Sequence, residues 1–165
     1  MRLLRLSCVL AACILVALAQ TTKLPGPEQP IPFSHKLHAG AQNLTCGTCH
    51  KNADAGAKMG LPTAAMCMQC HSDIKTESPA IQKLVALTNE KREINWRRVY
   101  QVPSYVRFNH RSHLEANSAC VTCHGNVAEF EQMYLAVKIS MPNCIKCHEE
   151  NGARTGCSYC HKRMK

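Results

Sequence analysis

Ten cysteines and five histidines of this chain fall into one repeated arrangement, C-x-x-C-H. It occurs at Cys46, Cys49 and His50 (site 1), at Cys67, Cys70 and His71 (site 2), and at Cys120, Cys123 and His124 (site 3). It occurs again at Cys144, Cys147 and His148 (site 4) and at Cys157, Cys160 and His161 (site 5). Two thiols at this spacing form thioethers with the vinyl groups of a haem, and the adjacent imidazole binds the iron. Zinc ribbons and disulfide frameworks also use paired cysteines, but neither has reason to place histidine after every pair. Five covalent haem c groups are therefore expected.

The remaining histidines are His35, His38, His110 and His113. They lie in Phe33-Ser34-His35-Lys36-Leu37-His38 and Phe108-Asn109-His110-Arg111-Ser112-His113, two copies of F-x-H-x-x-H offset by 75 residues. An isolated histidine is usually a surface or satisfied core residue; two H-x-x-H pairs ahead of haem sites read instead as distal iron ligands. Residues three apart on a helical turn point the same way and can serve two different haems. Four histidines cannot serve five irons. Met141, three residues before Cys144, is the preferred fifth ligand, since a thioether raises the haem potential; a packing methionine or an open iron is the alternative. Met59, Met66, Met68 and Met133 are weaker candidates.

The repeat predicts two modules, a two-haem unit over residues 33–77 and a three-haem unit over 108–165, joined by a connector over 78–107. Pro25, Pro27, Pro30 and Pro32 predict an extended arm over 20–32 that wraps the first module. In the connector, Ser78 and Pro79 read as N-cap and first residue of a helix with Ile81, Leu84 and Val85 at helical spacing toward Arg92. From Asn95 to Phe108, Trp96, Val99, Val102 and Val106 follow no single period and Pro103 interrupts them, so an irregular crossing is expected.

Arg2 and Arg5 followed by an apolar run from Leu6 to Ala19 predict a cleaved signal peptide over residues 1–19 and export to the periplasmic side. The run is short for a membrane span, which needs about 20 residues. Leu10-Ala11-Ala12-Cys13 also reads as a lipoprotein box, so membrane association through a lipidated Cys13 is the alternative. Removing residues 1–19 leaves 146, fewer than thirty per haem, with only eight Phe, Trp and Tyr in the whole chain. Porphyrin must then supply much of the apolar interior, and the apoprotein should be largely unfolded. The formal charge of +9 is matched by about ten propionates from five haems, so nucleic acid is not an expected partner.

The F-x-H-x-x-H and C-x-x-C-H pattern resembles the class III multihaem cytochromes c, which implies a mostly irregular fold with a few short α-helices around stacked haems. Further likeness lies in Leu61-Pro62-Thr63 with Cys67 to His71, in Trp96-Arg97-Arg98-Val99 through Pro103, Val106, Phe108 and His110, in Cys120 to Gly125 and in Met141-x-x-Cys144. Over most of residues 30–165 these segments resemble the pentahaem cytochrome subunit of bacterial alternative complex III and related molybdopterin-oxidoreductase-like complexes. The resemblance implies electron transfer from a quinol-oxidising membrane complex to a periplasmic acceptor or oxidase, with redox proteins as partners. It departs from those subunits in the short apolar leader, where they carry a membrane helix. By analogy with three-haem members it implies the ligand pairs His35 with His50, His38 with His71, His110 with His124, His113 with His148, and Met141 with His161. An iron with both axial positions filled by protein carries electrons and binds no substrate. The competing reading is a multihaem reductase acting on nitrite, hydroxylamine or a similar small substrate at one open iron. No lysine replaces a motif histidine and no distinctive His, Tyr and Arg cluster accompanies one, so no catalytic residue is assigned.

Overall fold

The computed structural model describes residues 26–52, 56 and 58–162. The leader, Cys8, Cys13 and the start of the arm lie outside the described residues. Short helices alternate with irregular chain. They are a π-helical turn at Lys36–Ala41, α1 at Cys46–Cys49, α2 at Ala64–His71, α3 at Pro79–Asn89, α4 at His110–Glu115 and α5 at Cys120–His124. A 3-10 turn at Val127–Glu129 follows, then α6 at Met141–Glu150 and α7 at Cys157–Cys160. Among the described residues no sheet forms, and one isolated antiparallel bridge joins Val106 to His161. The expected architecture of short helices in irregular chain is the one observed.

Each C-x-x-C pair lies on helix, because four residues of helix bring the two thiols to one side. Local residues start and stop these turns. The Thr63 hydroxyl accepts from Met66 N–H to cap α2, and the Asn109 side chain accepts from Arg111 N–H to cap α4. Asn43 at φ 55° and Asn117 at φ 59° turn the chain back toward Cys46 and Cys120, three residues on in each case. Asparagine is the side chain that tolerates this left-handed conformation best after glycine. The two modules differ by one residue between the second histidine and the first cysteine, His38 to Cys46 against His113 to Cys120. A wider π-helical turn in the first module and an α-helical turn in the second absorb that difference.

The connector helix forms where Ser78 and Pro79 predict it, but ends at Asn89 rather than at Arg92. Lys91 at φ 53° reverses the chain there. Its inner face packs on α2, and Ile31, Ala64, Ile81, Leu84 and Ile94 form the buried cluster, flanked by Cys67, Met68 and Trp96. Trp96 Nε1 donates to the Pro62 carbonyl at 2.8 Å, fixing the ring beside the start of α2. The arm is tied in at several points: Gln29 Oε1 accepts from Arg97 N–H at 2.9 Å while its Nε2 donates to Arg97 O at 2.8 Å, Lys83 Nζ donates to the Pro30 carbonyl at 2.8 Å, and Gln132 Nε2 donates to the Gly26 carbonyl at 2.9 Å. This cluster organises only the arm, α2 and α3. Elsewhere large apolar side chains such as Leu37, Val121, Leu135, Met141 and Tyr159 stand exposed in the polypeptide alone. Protein atoms therefore supply only a fraction of an ordinary core, as expected for a chain whose interior is porphyrin.

Candidate haem-binding sites

Four histidine pairs, each drawn from distant segments, face one another. The ring centroids are 6.4 Å apart for His35 and His50, 6.1 Å for His38 and His71, 6.5 Å for His110 and His124, and 6.1 Å for His113 and His148. A metal bonded to one nitrogen of each ring needs two bonds of about 2 Å plus half a ring on either side, roughly 6 Å in all. The gaps fit an iron with two axial imidazoles. Direct ring stacking would close them further.

The ring nitrogens are prepared for this. Nδ1 of His38, His50, His71, His113 and His148 lies 2.7–3.0 Å from the carbonyl of Ser34, Gly60, Ile74, Asn109 and Arg154 respectively. A carbonyl can only accept, so Nδ1 carries the proton and Nε2 keeps the lone pair a metal requires. The same bonds hold each ring in orientation. In both copies of F-x-H-x-x-H the second histidine is anchored to the carbonyl four residues before it, at Ser34 and Asn109.

Phe33 and Phe108 explain the first letter of the repeat. Phe33 meets His35 edge-on at 4.9 Å and stacks on His38 at 4.4 Å, while Phe108 meets His110 edge-on at 4.7 Å and lies 4.8 Å from His113. One aromatic ring contacts both histidines of its F-x-H-x-x-H copy. Burial, helped by neighbouring His50 and His38, lowers the His35 pKa to about 4. His124 is lowered in the same way, first by burial and then by His110 and His50. Both rings are thereby kept neutral, as ligation demands. The His35 Nδ1 is buried without a hydrogen-bond partner, so no carbonyl fixes the tautomer of that ring.

None of the ten motif cysteines is paired in a disulfide. Burial raises the pKa of Cys46, Cys67, Cys123 and Cys144, and nearby thiols add to the rise. Among the described residues no three His, Cys, Asp or Glu side chains converge into a set that could hold a bare metal ion. A zinc ribbon needs such a set.

The fifth site differs. Its His161 has Tyr105 as ring neighbour, with centroids 5.8 Å apart and planes inclined by 26°. Two backbone bonds hold that segment: Arg107 N–H donates to Cys160 O at 2.7 Å and Lys162 N–H to Tyr105 O at 2.8 Å. Met141 opens α6 with its side chain exposed.

The two tyrosines were not singled out by sequence reasoning. Tyr100 lies edge-on to His124 at 4.5 Å, and its hydroxyl accepts from Ala136 N–H and Val137 N–H. Neither tyrosine belongs to a motif, and only their position in the connector, between the modules, hinted at a role. Gly125, at φ 71°, is required after His124: a side chain there would meet Ala136 Cβ at 2.8 Å.

The family model described as cytochrome c7 and related cytochrome c matches the chain twice, over residues 31–92 and 106–163. The chain belongs to the cytochrome c7 family. It is a multihaem, class III-type cytochrome c whose covalently bound haem carries electrons. The two matched c7 units correspond to the two copies of F-x-H-x-x-H. The chain is also similar to the menaquinone reductase, multiheme cytochrome c subunit, of Nitratidesulfovibrio vulgaris. The two are 31% identical over an alignment of 163 residues covering 82% of this chain and 77% of the relative. For a c7-type cytochrome the facing imidazoles are the expected iron ligands, and the bound haem supplies the one-electron couple. The polypeptide offers the motif thiols and oriented imidazole nitrogens that would hold it.

Proposed function

We propose that this chain holds five haem c groups and exchanges electrons, on the periplasmic side, between a quinone-reactive membrane complex and a soluble redox partner. The observation that carries the reading is the set of four facing histidine pairs with iron-sized gaps. Filled on both sides by protein, such sites pass electrons and bind no substrate. His35, His38, His110 and His113 are the distal ligands of sites 1 to 4, opposite His50, His71, His124 and His148. Met141 is the proposed ligand opposite His161, and Tyr105 packs that site's imidazole.

The named relative is a subunit of a menaquinone reductase, which supports assembly with a membrane complex. Two directions of flow are distinguished by potential. Imidazole on both faces gives lower potentials than a thioether does, which favours delivery of electrons toward menaquinone over withdrawal from a quinol. No described helix is long and apolar enough to cross a membrane.

Mass spectrometry of the exported protein should show five haems on the ten motif cysteines. Carbon monoxide added to the reduced protein should leave four haems unchanged. Fewer than five haems, or rapid binding at several sites, would overturn the reading; catalytic turnover of nitrite or hydroxylamine would establish the reductase alternative. Purification from membranes should bring down an iron–sulfur or molybdopterin-type subunit.

A further inference from the structure

We propose that the five attachment sites form a single unbranched row in the order 2, 1, 3, 4, 5, so that the sites of His71 and His161 are the two ends at which partners dock. The inference rests on the five-haem reading above. It departs from chain order at one point, where site 1 and not site 2 adjoins the second module.

Three links come from geometry. In the first module His35 faces His50 and His38 faces His71, so one helical turn reaches both sites 1 and 2. The His50 Nδ1 bond to Gly60 O also draws the start of the site 2 segment against site 1. In the second module His110 faces His124 and His113 faces His148, which joins sites 3 and 4 in the same manner. Sites 4 and 5 are coupled by the short connection between α6 and α7, where Arg154 gives its carbonyl to His148 and stacks its guanidinium on Tyr159.

The link between modules is the informative one. The π-helical turn carrying the distal ligands of the first module packs on the 3-10 turn immediately after site 3. Lys36 N–H donates to Phe130 O at 2.9 Å. Ser34 Oγ donates to Glu131 Oε2 at 2.6 Å, and Lys36 Nζ lies 3.4 Å from the other carboxylate oxygen. Gly40 approaches Ala128 O so closely that an added Cβ would lie 2.5 Å from that oxygen. By contrast, α2 of site 2 packs on α3 and on Ile31 of the arm.

Thiol neighbours agree at every step. Cys67 lies near Cys49, Cys46 near Cys120, Cys123 near Cys147 and Cys144, and Cys144 near Cys160. An electron that arrives at one end must be handed along every site to leave at the other. It oxidises a donor protein by one electron and reduces an acceptor protein by one, with no proton required.

Iron positions in crystals of the holoprotein, located by anomalous scattering, test the order directly. Nearest neighbours should be 2 with 1, 1 with 3, 3 with 4 and 4 with 5. Site 2 next to site 3, or site 5 next to site 1, would overturn it. Magnetic coupling read by electron paramagnetic resonance provides a second arm. Removing site 5 with Cys157→Ala and Cys160→Ala should sharpen the signal of site 4 alone. Removing site 1 with Cys46→Ala and Cys49→Ala should sharpen two, those of sites 2 and 3; a change at site 2 alone refutes the row. Should the site 1 variant fail to accumulate, the iron map and the site 5 variant still decide. Haem content by mass separates failure of the row from failure of the five-haem reading.

Discussion

The His35 and His50 imidazoles lie parallel to within 4°, with ring centroids 6.4 Å apart. His110 and His124 repeat this at 14°, whereas His38 with His71 and His113 with His148 are crossed by 61° and 48°. The first distal histidine of each module is parallel to its partner and the second is crossed. The cause is local: the second ring is pinned by Nδ1 to the carbonyl four residues back and by its phenylalanine, so its plane is set by its own helix.

Parallel axial planes split the iron orbitals more than crossed planes do. Ferric holoprotein should therefore show two classes of low-spin paramagnetic resonance signal in a two-to-two ratio, rhombic for sites 1 and 3 and strongly anisotropic for sites 2 and 4. Four equivalent signals would contradict the ring geometry.

Replacement of His113 by Ala should convert one haem per chain, that of site 4, from low spin to high spin. One equivalent of carbon monoxide should then bind on reduction, measured by visible titration. Phe108→Ala should loosen His110 and His113 together, broadening two sites rather than one, because a single ring contacts both. An unchanged spectrum for His113→Ala would remove His113 from the ligand set, and one for Phe108→Ala would show that the ring does not hold the two imidazoles.

Met141→Ala should open one iron and lower one midpoint potential, leaving the other four in place. If the spectra and redox titration do not change, Met141 is a packing residue and His161 has another partner.

Leu84, 3% exposed, is a centre of the protein-only cluster. Leu84→Ala should cost about 2–5 kcal/mol in denaturant unfolding of the holoprotein. The cluster contains no histidine and Cys67 is the one attachment cysteine packed against it, so haem content should stay at five. Loss of haem in this variant would show that the cluster and the haem sites fold as one unit.

Acid should destabilise the fold in a defined window. The His35 pKa is held at about 4 against an ordinary 6.5, by burial first and then by His50 and His38. As pH falls below about 6.5 the unfolded chain takes up a proton that native His35 refuses, so stability declines with falling pH. This contribution is complete above about 6.5 and gone once pH has passed below about 4, and His124 acts in the same direction. Unfolding free energy measured against pH should slope upward across that interval, with acid detachment visible as high-spin haem. A flat profile would count against buried neutral ligands.

Cysteine and histidine spacing alone pointed to covalent haem, five C-x-x-C-H motifs, four further histidines and a duplicated module, because thioether attachment and proximal ligation are local chemistry confined to five residues. Ser78 and Pro79 likewise announced α3, and Pro103 the irregular crossing, since caps and proline torsions act within a turn. The pairing of His35 with His50 or His113 with His148 could be reached from sequence only through resemblance, because it depends on how segments many residues apart are brought together. Ring angles, the tyrosines at His124 and His161, and the junction of Lys36 with Phe130 and Gly40 with Ala128 came from tertiary structure alone. The reason is physical: attachment is written in neighbouring residues, whereas the distance between two sites is set by packing, which no spacing along the chain encodes.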